Sequence, residues 1–260
     1  MELNFNNISY TKVGSGPHLC FLHGFCEDST IWNHLIYSLK ENYTCIAIDL
    51  PGFGKSKQLS FTNIPEIAQS VNQLLEKENA QNCILFGHSM GGYIAADYLE
   101  KFAYQLHAVG FIHSTVLNDS DLKKKNRKKT IDFIKQHGTN DFFRLFIPGL
   151  VALRNRGRLR EQLTQLVSST PTTSIVNGLK AMMIRPSHVN TIAHFNKPVL
   201  FMKGEEDTHY SSEEIYQQAS VCQTSQVSLL PDIGHLSMLE DQEKCLIEVS
   251  RFLAFVEAVT

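Results

Sequence analysis

The chain has 260 residues, of which 43% are hydrophobic and 19% charged, and its formal net charge is −2 at pH 7. That length supports one large core, or a core plus a small subdomain, and so small a net charge gives no global field to recruit nucleic acid or a membrane surface. No basic-then-apolar leader opens the sequence and no apolar run approaches the ~18 residues that span a bilayer, so a soluble, cytoplasmic monomer or homodimer with a small-molecule partner is expected.

Leu3, Phe5, Ile8 and Tyr10 predict a short hairpin turning at Asn6-Asn7. After the loop Gly14-Ser15-Gly16-Pro17, the continuous apolar run Leu19-Cys20-Phe21-Leu22 predicts a strand buried on both faces and ending in His23-Gly24-Phe25. Ile31, Trp32, Leu35, Ile36 and Leu39 recur at helical spacing and predict a helix over 30–40. A second buried strand, 43–48, runs into the turn-rich loop Asp49-Leu50-Pro51-Gly52-Phe53-Gly54-Lys55-Ser56. A helix over 64–78 turns Ile67, Val71, Leu74 and Leu75 inward. Next come the apolar run Cys83-Ile84-Leu85-Phe86, the pentapeptide Gly87-His88-Ser89-Met90-Gly91 with Gly92 behind it, a helix from 93 to 101 and a strand over 106–113.

From 117 to 194 the pattern changes. Strand-like runs disappear, and Ile131, Ile134, Phe142, Phe143, Leu145 and Phe146 fall at wide, helical spacing in a polar background. This stretch predicts an inserted helical cap, 117–194, on a core made of 1–116 and 195–260. Strand 198–202 resumes the sheet and ends in Lys203-Gly204-Glu205-Glu206-Asp207. A helix over 212–220, a last strand 227–230 ending in Pro231-Asp232-Ile233-Gly234-His235, and a helix from about 242 complete the chain. Eight strands alternating with amphipathic helices predict an α/β fold, a mostly parallel eight-stranded sheet with helices on both faces.

A Gly-x-Ser-x-Gly between a strand and a helix marks a nucleophile elbow, a turn so tight that the serine hydroxyl is thrust outward and its neighbours must be small. A serine hydroxyl needs a base within hydrogen-bond reach, and the base needs an orienting acid. In an open parallel sheet such groups collect at the carboxyl ends of the strands. Asp207 and His235 each follow a predicted strand, in the chain order Ser, Asp, His. Glu205, Glu206, Asp232 and Asp119 are rivals for the acid role. No His-Glu-x-x-His or cysteine cluster marks a metal site, and neither a metal nor a cofactor is expected.

Taken together, these motifs resemble the α/β-hydrolase fold family over nearly the whole chain outside the cap. His23-Gly24-Phe25 resembles the family's oxyanion loop, Gly87-His88-Ser89-Met90-Gly91-Gly92 its elbow, Gly204-Glu205-Glu206-Asp207 its acid motif and Ile233-Gly234-His235 its histidine motif. The resemblance implies a Ser89-His235-Asp207 triad and an oxyanion hole from the backbone N–H groups of Phe25 and Met90. It implies a carboxylesterase-type serine hydrolase acting on a small ester or thioester. A triad-using C–C hydrolase or lyase on an anionic metabolite, or a receptor that keeps the fold, are the alternatives. With serine at the elbow, the aspartate-nucleophile dehalogenases and epoxide hydrolases of the same fold are disfavoured. His23 is expected to hold its loop and His88 to pack behind the elbow.

Phe142, Phe143, Phe146 and Leu236 are candidate pocket residues, with Leu150 beside the first three, or else they form the core that fastens the cap. Gly138, Gly149 and Gly157 are candidate hinges. The run Lys123-Lys124-Lys125-Asn126-Arg127-Lys128-Lys129, and Arg154, Arg156, Arg158 and Arg160, read either as solvated faces or as recognition of an anion. The six cysteines include no Cys-x-x-Cys; Cys20, Cys45 and Cys83 read as buried hydrophobes, and Cys26 as a spectator beside the oxyanion loop.

Overall fold

The computed structural model describes residues 1–259. β1 (Glu2–Phe5) and β2 (Ile8–Val13) form the expected hairpin. Asn6 and Asn7 both take positive φ, 50° and 65°, the backbone that a two-residue hairpin turn demands and asparagine tolerates. β3 (His18–Leu22), β4 (Thr44–Ile48), β5 (Cys83–His88), β6 (Leu106–Ile112), β7 (Val199–Gly204) and β8 (Ser225–Leu230) follow. The eight strands form one sheet in the order β1-β2-β4-β3-β5-β6-β7-β8, antiparallel at β1, β2 and β4 and parallel thereafter. All parallel strands therefore end on one edge, where the loops after β3, β5, β7 and β8 converge.

The central strands read as continuous apolar runs because helices cover both faces of the sheet; Leu19, Phe21, Leu85, Phe86, Phe111 and Phe201 have no exposed surface. α1 (Asn33–Leu39) packs on the C-terminal helix, and α2 (Ile64–Lys77) packs on α3 (Met90–Phe102). The helix expected over 30–40 is split. Residues Ser29–Trp32 form a tighter 3₁₀ turn, capped by Asp28, whose carboxylate accepts the Thr30 N–H at 2.9 Å, and α1 begins after it.

Residues between β6 and β7 hold helices and no strand. They are α4 (Asp121–Phe146), α5 (Arg156–Ser168), α6 (Thr172–Ile184) and α7 (Val189–His194). α4 is broken at Gly138 (φ 81°, ψ 176°), a backbone region open essentially to glycine alone. The two halves of α4 thus point in different directions. α8 (Ser212–Ser220), the short α9 (Ser237–Glu240) and α10 (Gln242–Val259) complete the fold; α9 has no counterpart among the elements expected from the sequence.

Candidate active site

The turn from β5 into α3 is fixed by sterics. A side-chain carbon at Gly91 would overlap the carbonyl oxygens of Leu22 and His23 on the neighbouring strand end, and one at Gly87 would overlap the carbonyl of Gly91. Between them Ser89 sits at φ 49°, ψ −113°, strained for a residue with a side chain and held there by the packing around it. Its backbone N–H donates to Ile112 at 3.0 Å and its carbonyl accepts from the Ser114 hydroxyl at 2.7 Å, so the turn is tied to the end of β6.

His235, in the loop after β8, lies 2.9 Å from the Ser89 hydroxyl through Nε2 and 2.7 Å from Asp207 Oδ2 through Nδ1. Nδ1 therefore carries the hydrogen, and Nε2 accepts from Ser89. Burial drives the His235 imidazole well below its ordinary value despite the pull of Asp207, with His209 and His88 adding to the lowering. Burial alone would raise the Asp207 carboxyl. The interaction with His235 and the hydrogen bonds from His113, His209 and His235 outweigh that and hold it well below the usual carboxylate range. The resting pair is an anionic Asp207 beside a neutral His235, which is the state a general base needs. His209 stacks on His235 at 4.1 Å between ring centres and donates its backbone N–H to Asp207 Oδ1 at 2.9 Å.

A second buried pair lies under the first. His88 meets an acceptor at each ring nitrogen: Glu27 Oε2 at 2.9 Å from Nδ1 and the His235 carbonyl at 2.8 Å from Nε2. Both nitrogens must then donate, so the ring is an imidazolium. Burial opposes that charge, but Glu27 overrides it and raises His88, and His88 in turn lowers Glu27 against the same burial. Glu27 also accepts the Gly24 N–H at 2.7 Å. This pair joins the loop after β3, the elbow and the histidine loop at one point. Glu240 makes a similar junction: its carboxylate accepts the N–H groups of Gly234 (2.9 Å) and Leu236 (3.2 Å) on one oxygen, and Ala152 N–H and the Asn155 amide (both 2.8 Å) on the other.

Ser89 and His235 open into a cavity of about 300 Å³. Phe25, Phe146, Leu150 and Met182 form an apolar wall, and Tyr93, Lys123, Asn126, Arg127, Thr208, His209 and Tyr210 a polar one.

The family model described as alpha/beta hydrolase fold matches residues 17–242. The chain belongs to the alpha/beta hydrolase fold family. It is 30% identical over 105 residues to the pimeloyl-(acyl-carrier protein) methyl ester esterase of Aeromonas hydrophila, a match covering 40% of each chain. It is 32% identical over 127 residues to the abhydrolase domain-containing protein abhd-5.2 of Caenorhabditis elegans, covering 45% of this chain and 29% of that one. The chain thus matches well under half the length of these curated relatives. Among solved structures, a thermophilic esterase from Thermogutta terrifontis with malate bound superposes with a TM-score of 0.89 at 25% identity, covering 96% of this chain and 93% of that one.

Within this hydrolase fold, Ser89, Asp207 and His235 are brought together, and the rival acids are held elsewhere. Glu205 and Glu206 face solvent, Asp232 pairs with Arg154 at 3.2 Å, and the buried Asp119 is bonded to Arg127 and Arg185. Phe25 lines the cavity beside Ser89, and Met90 is the first residue of α3, where an N–H has no partner within the helix. His23 accepts the Leu50 N–H at 3.0 Å and is fully buried. Of the four candidate pocket residues, Phe146 lines this cavity. Phe142 stacks on Phe146 with ring centres 5.1 Å apart, Phe143 lines a separate cavity with Arg144, Arg156 and Arg160, and Leu236 has no exposed surface. Arg158 donates to the Glu240 carbonyl at 2.7 Å. Cys26 is fully buried at φ 63°, its thiol pushed up by burial.

Sequence spacing gave no metal set, yet His113, Asp207 and His235 offer ligand atoms within 4.8 Å of one another. Two of these three, Asp207 and His235, are hydrogen-bonded to each other, and Ser237 Oγ lies 2.8 Å from His113 Nε2. Glu27, Tyr93, His209 and Tyr210 were missed as site residues. Tyr93 alone carried a signal, one helical turn beyond Ser89 and so on the same face of α3. No helix among the described residues is long and apolar enough to cross a membrane.

Proposed function

We propose that the chain is a serine hydrolase that cleaves a small ester or thioester through an acyl-enzyme on Ser89. The observation that carries this reading is the continuous relay Asp207–His235–Ser89, at 2.7 and 2.9 Å, with the hydroxyl at the mouth of a cavity. Ser89 Oγ attacks the carbonyl carbon as His235 Nε2 takes its proton. The tetrahedral oxyanion is held by the N–H groups of Phe25 and Met90, where a single lost donor typically lowers rate ~10²–10³-fold. The tetrahedral species collapses, and the departing alcohol or thiol leaves with the proton from His235. Water then gives a proton to the same nitrogen, its oxygen adds to the acyl carbon, and Ser89 leaves with the proton restored. Asp207 holds the imidazole in the tautomer that both halves need.

Residues 117–194 act as a cap over the core in this reading, with Phe25, Phe146, Leu150 and Met182 against the apolar part of the substrate. The esterase names carried by relatives matched over part of the chain support acyl-ester chemistry. Hydrolysis of p-nitrophenyl esters from acetate to palmitate, by wild type and Ser89→Ala in parallel, tests it. Wild-type turnover that disappears in the variant, with stoichiometric fluorophosphonate labelling of Ser89, is the expected result. A folded wild type that neither turns over any ester nor takes the label would overturn it.

A further inference from the structure

Helix geometry sorts the charges in the lysine-rich run of α4. Lys123, Asn126 and Arg127 fall at i, i+3 and i+4, on one helix face, and all three line the cavity that holds Ser89 and His235. Lys125, Lys128 and Lys129 face solvent. The run is therefore both a solvated face and a cavity wall.

The cavity side of that wall has more positive charge than its own structure balances. Arg127 donates Nε to Asp119 Oδ2 at 2.6 Å, and Arg185 donates Nη1 to Asp119 Oδ1 at 2.7 Å. One buried carboxylate thus serves two guanidinium groups. Arg185 also donates to the carbonyls of Met182 and Leu117, and its guanidinium carbon lies 3.7 Å from the centre of the Tyr93 ring. Arg127 still has Nη1, which has no acceptor among the described residues. Lys123 Nζ rests 5.0 Å from the centre of the Tyr210 ring and donates to the His209 carbonyl at 3.1 Å, leaving hydrogens for a further acceptor. Tyr93 and Tyr210 share a hydroxyl–hydroxyl bond of 2.5 Å; one phenol donates to the other, and the second keeps its proton for another acceptor. Glu27 is already neutralised by His88. Asp119 and Asp207 set against Lys123, Arg127 and Arg185 leave one positive charge over. A surplus charge in a partly enclosed cavity is unfavourable unless a ligand complements it.

We propose that Lys123 and Arg127, with the Tyr93–Tyr210 pair, form a subsite for one carboxylate of the substrate. The ester or thioester cleaved at Ser89 then carries a carboxylate a short chain away from its reacting carbonyl. The spacing follows from the ring path, since a single phenol ring, Tyr210, separates the Lys123 ammonium from the His235 imidazole. The apolar lining of Phe25, Phe146, Leu150 and Met182 takes the apolar part. This proposal rests on the serine-hydrolase reading for its chemistry, but the subsite is a binding claim that can be read without turnover.

The test has a kinetic arm and a binding arm. In the first, kcat/KM is measured for mono-4-nitrophenyl adipate against 4-nitrophenyl heptanoate, which replaces the carboxylate by an ethyl group. The same is done for 4-carboxyphenyl acetate against phenyl acetate, which moves the charge to the leaving group. Wild type should prefer the charged member of at least one pair by about tenfold or more, chiefly through KM. Lys123→Gln and Arg127→Gln should each remove most of that ratio, and Arg127→Lys should keep part of it. In the second arm, calorimetry compares hexanoate with hexanamide on Ser89→Ala protein. Tighter binding of hexanoate, erased by adding Arg127→Gln, supports the subsite whether or not any ester is turned over. Equal binding of the two, or a preference that survives both Lys123→Gln and Arg127→Gln, overturns it. Ser89-dependent turnover with no charge preference leaves the hydrolase reading standing and the subsite refuted; a charge preference in binding with no turnover does the reverse.

Discussion

The loops at the carboxyl end of the sheet and the helices between β6 and β7 face each other across one cavity, and they are built by different rules. On the sheet side every position is over-determined. Gly87 and Gly91 have no room for a side chain, Ser89 is held at positive φ, and His235 is fixed through its ring, its carbonyl and its N–H, the last donating to Leu150 at 3.0 Å. On the insert side, the cavity is lined by side chains projecting from helices whose backbones bond internally, such as Lys123, Arg127, Phe146 and Met182. Rigid backbone suits the making and breaking of bonds, where small displacements cost large factors in rate. Side chains on helices can be exchanged without disturbing that backbone, and they suit recognition.

Substitutions on the two sides should therefore differ in kind. The largest effect is expected at the elbow: Ser89→Ala should lower kcat by ~10⁴–10⁶-fold with an unchanged melting temperature, read by ester hydrolysis and calorimetric scanning. A residual rate within tenfold of wild type would break the comparison. Beneath it, Glu27→Ala strands a buried imidazolium at His88, and removing one partner of such a pair costs about 3–5 kcal/mol. Both stability and kcat should fall together, since Glu27 also positions the Gly24 N–H. A drop in melting temperature with full specific activity would show the pair to be structural only.

The pH profile sharpens the same point. A base works only when neutral, and burial lowers the His235 proton affinity, so the acid limb of kcat/KM should lie below the ordinary histidine value of ~6.5. The sign for stability agrees: the unfolded chain takes up this proton more readily, so this contribution is complete above that value and is lost as the pH falls below it. An acid limb at or above ~6.5 would place His235 in a wetter setting than its burial describes. The smallest effect is expected on the outer face of α4. Lys128→Ala with Lys129→Ala should leave kcat/KM within about twofold and stability within about 0.5 kcal/mol. A larger loss there would move charge recognition from the cavity wall to the surface.

What could be read from the sequence follows the same division. Buried parallel strands announce themselves as unbroken apolar runs, and the elbow glycines are forced by contact, so the sheet, Ser89, Asp207 and His235 were legible from residue types and chain order. Glu27 was not, because its role depends on His88, far from it in sequence and adjacent only after folding. The lysine run of α4 was ambiguous for another reason. Composition records seven polar residues, but only helical phase separates Lys123 and Arg127 from Lys125, Lys128 and Lys129. Phe142, Phe143 and Phe146 were grouped by proximity in sequence. All three lie on the same half-helix beyond the break at Gly138, and helical phase turns Phe146 to the Ser89 cavity and Phe143 to a separate one.

Glu240 bears on how the molecule reaches this state. Its bond to the Ala152 N–H joins residues 88 positions apart, and its other oxygen holds the N–H groups on both sides of His235. A buried carboxylate with half its donors missing is unfavourable, so neither set of bonds is stable before the other. Closing so long a loop is an entropic barrier met once, for both sets together. Docking of the insert and ordering of the loop that bears His235 are therefore coupled through one carboxylate. If the proposed reaction holds, a chain with a complete sheet but an undocked insert would present Ser89 without His235 in register, and would be chemically silent until the insert docks.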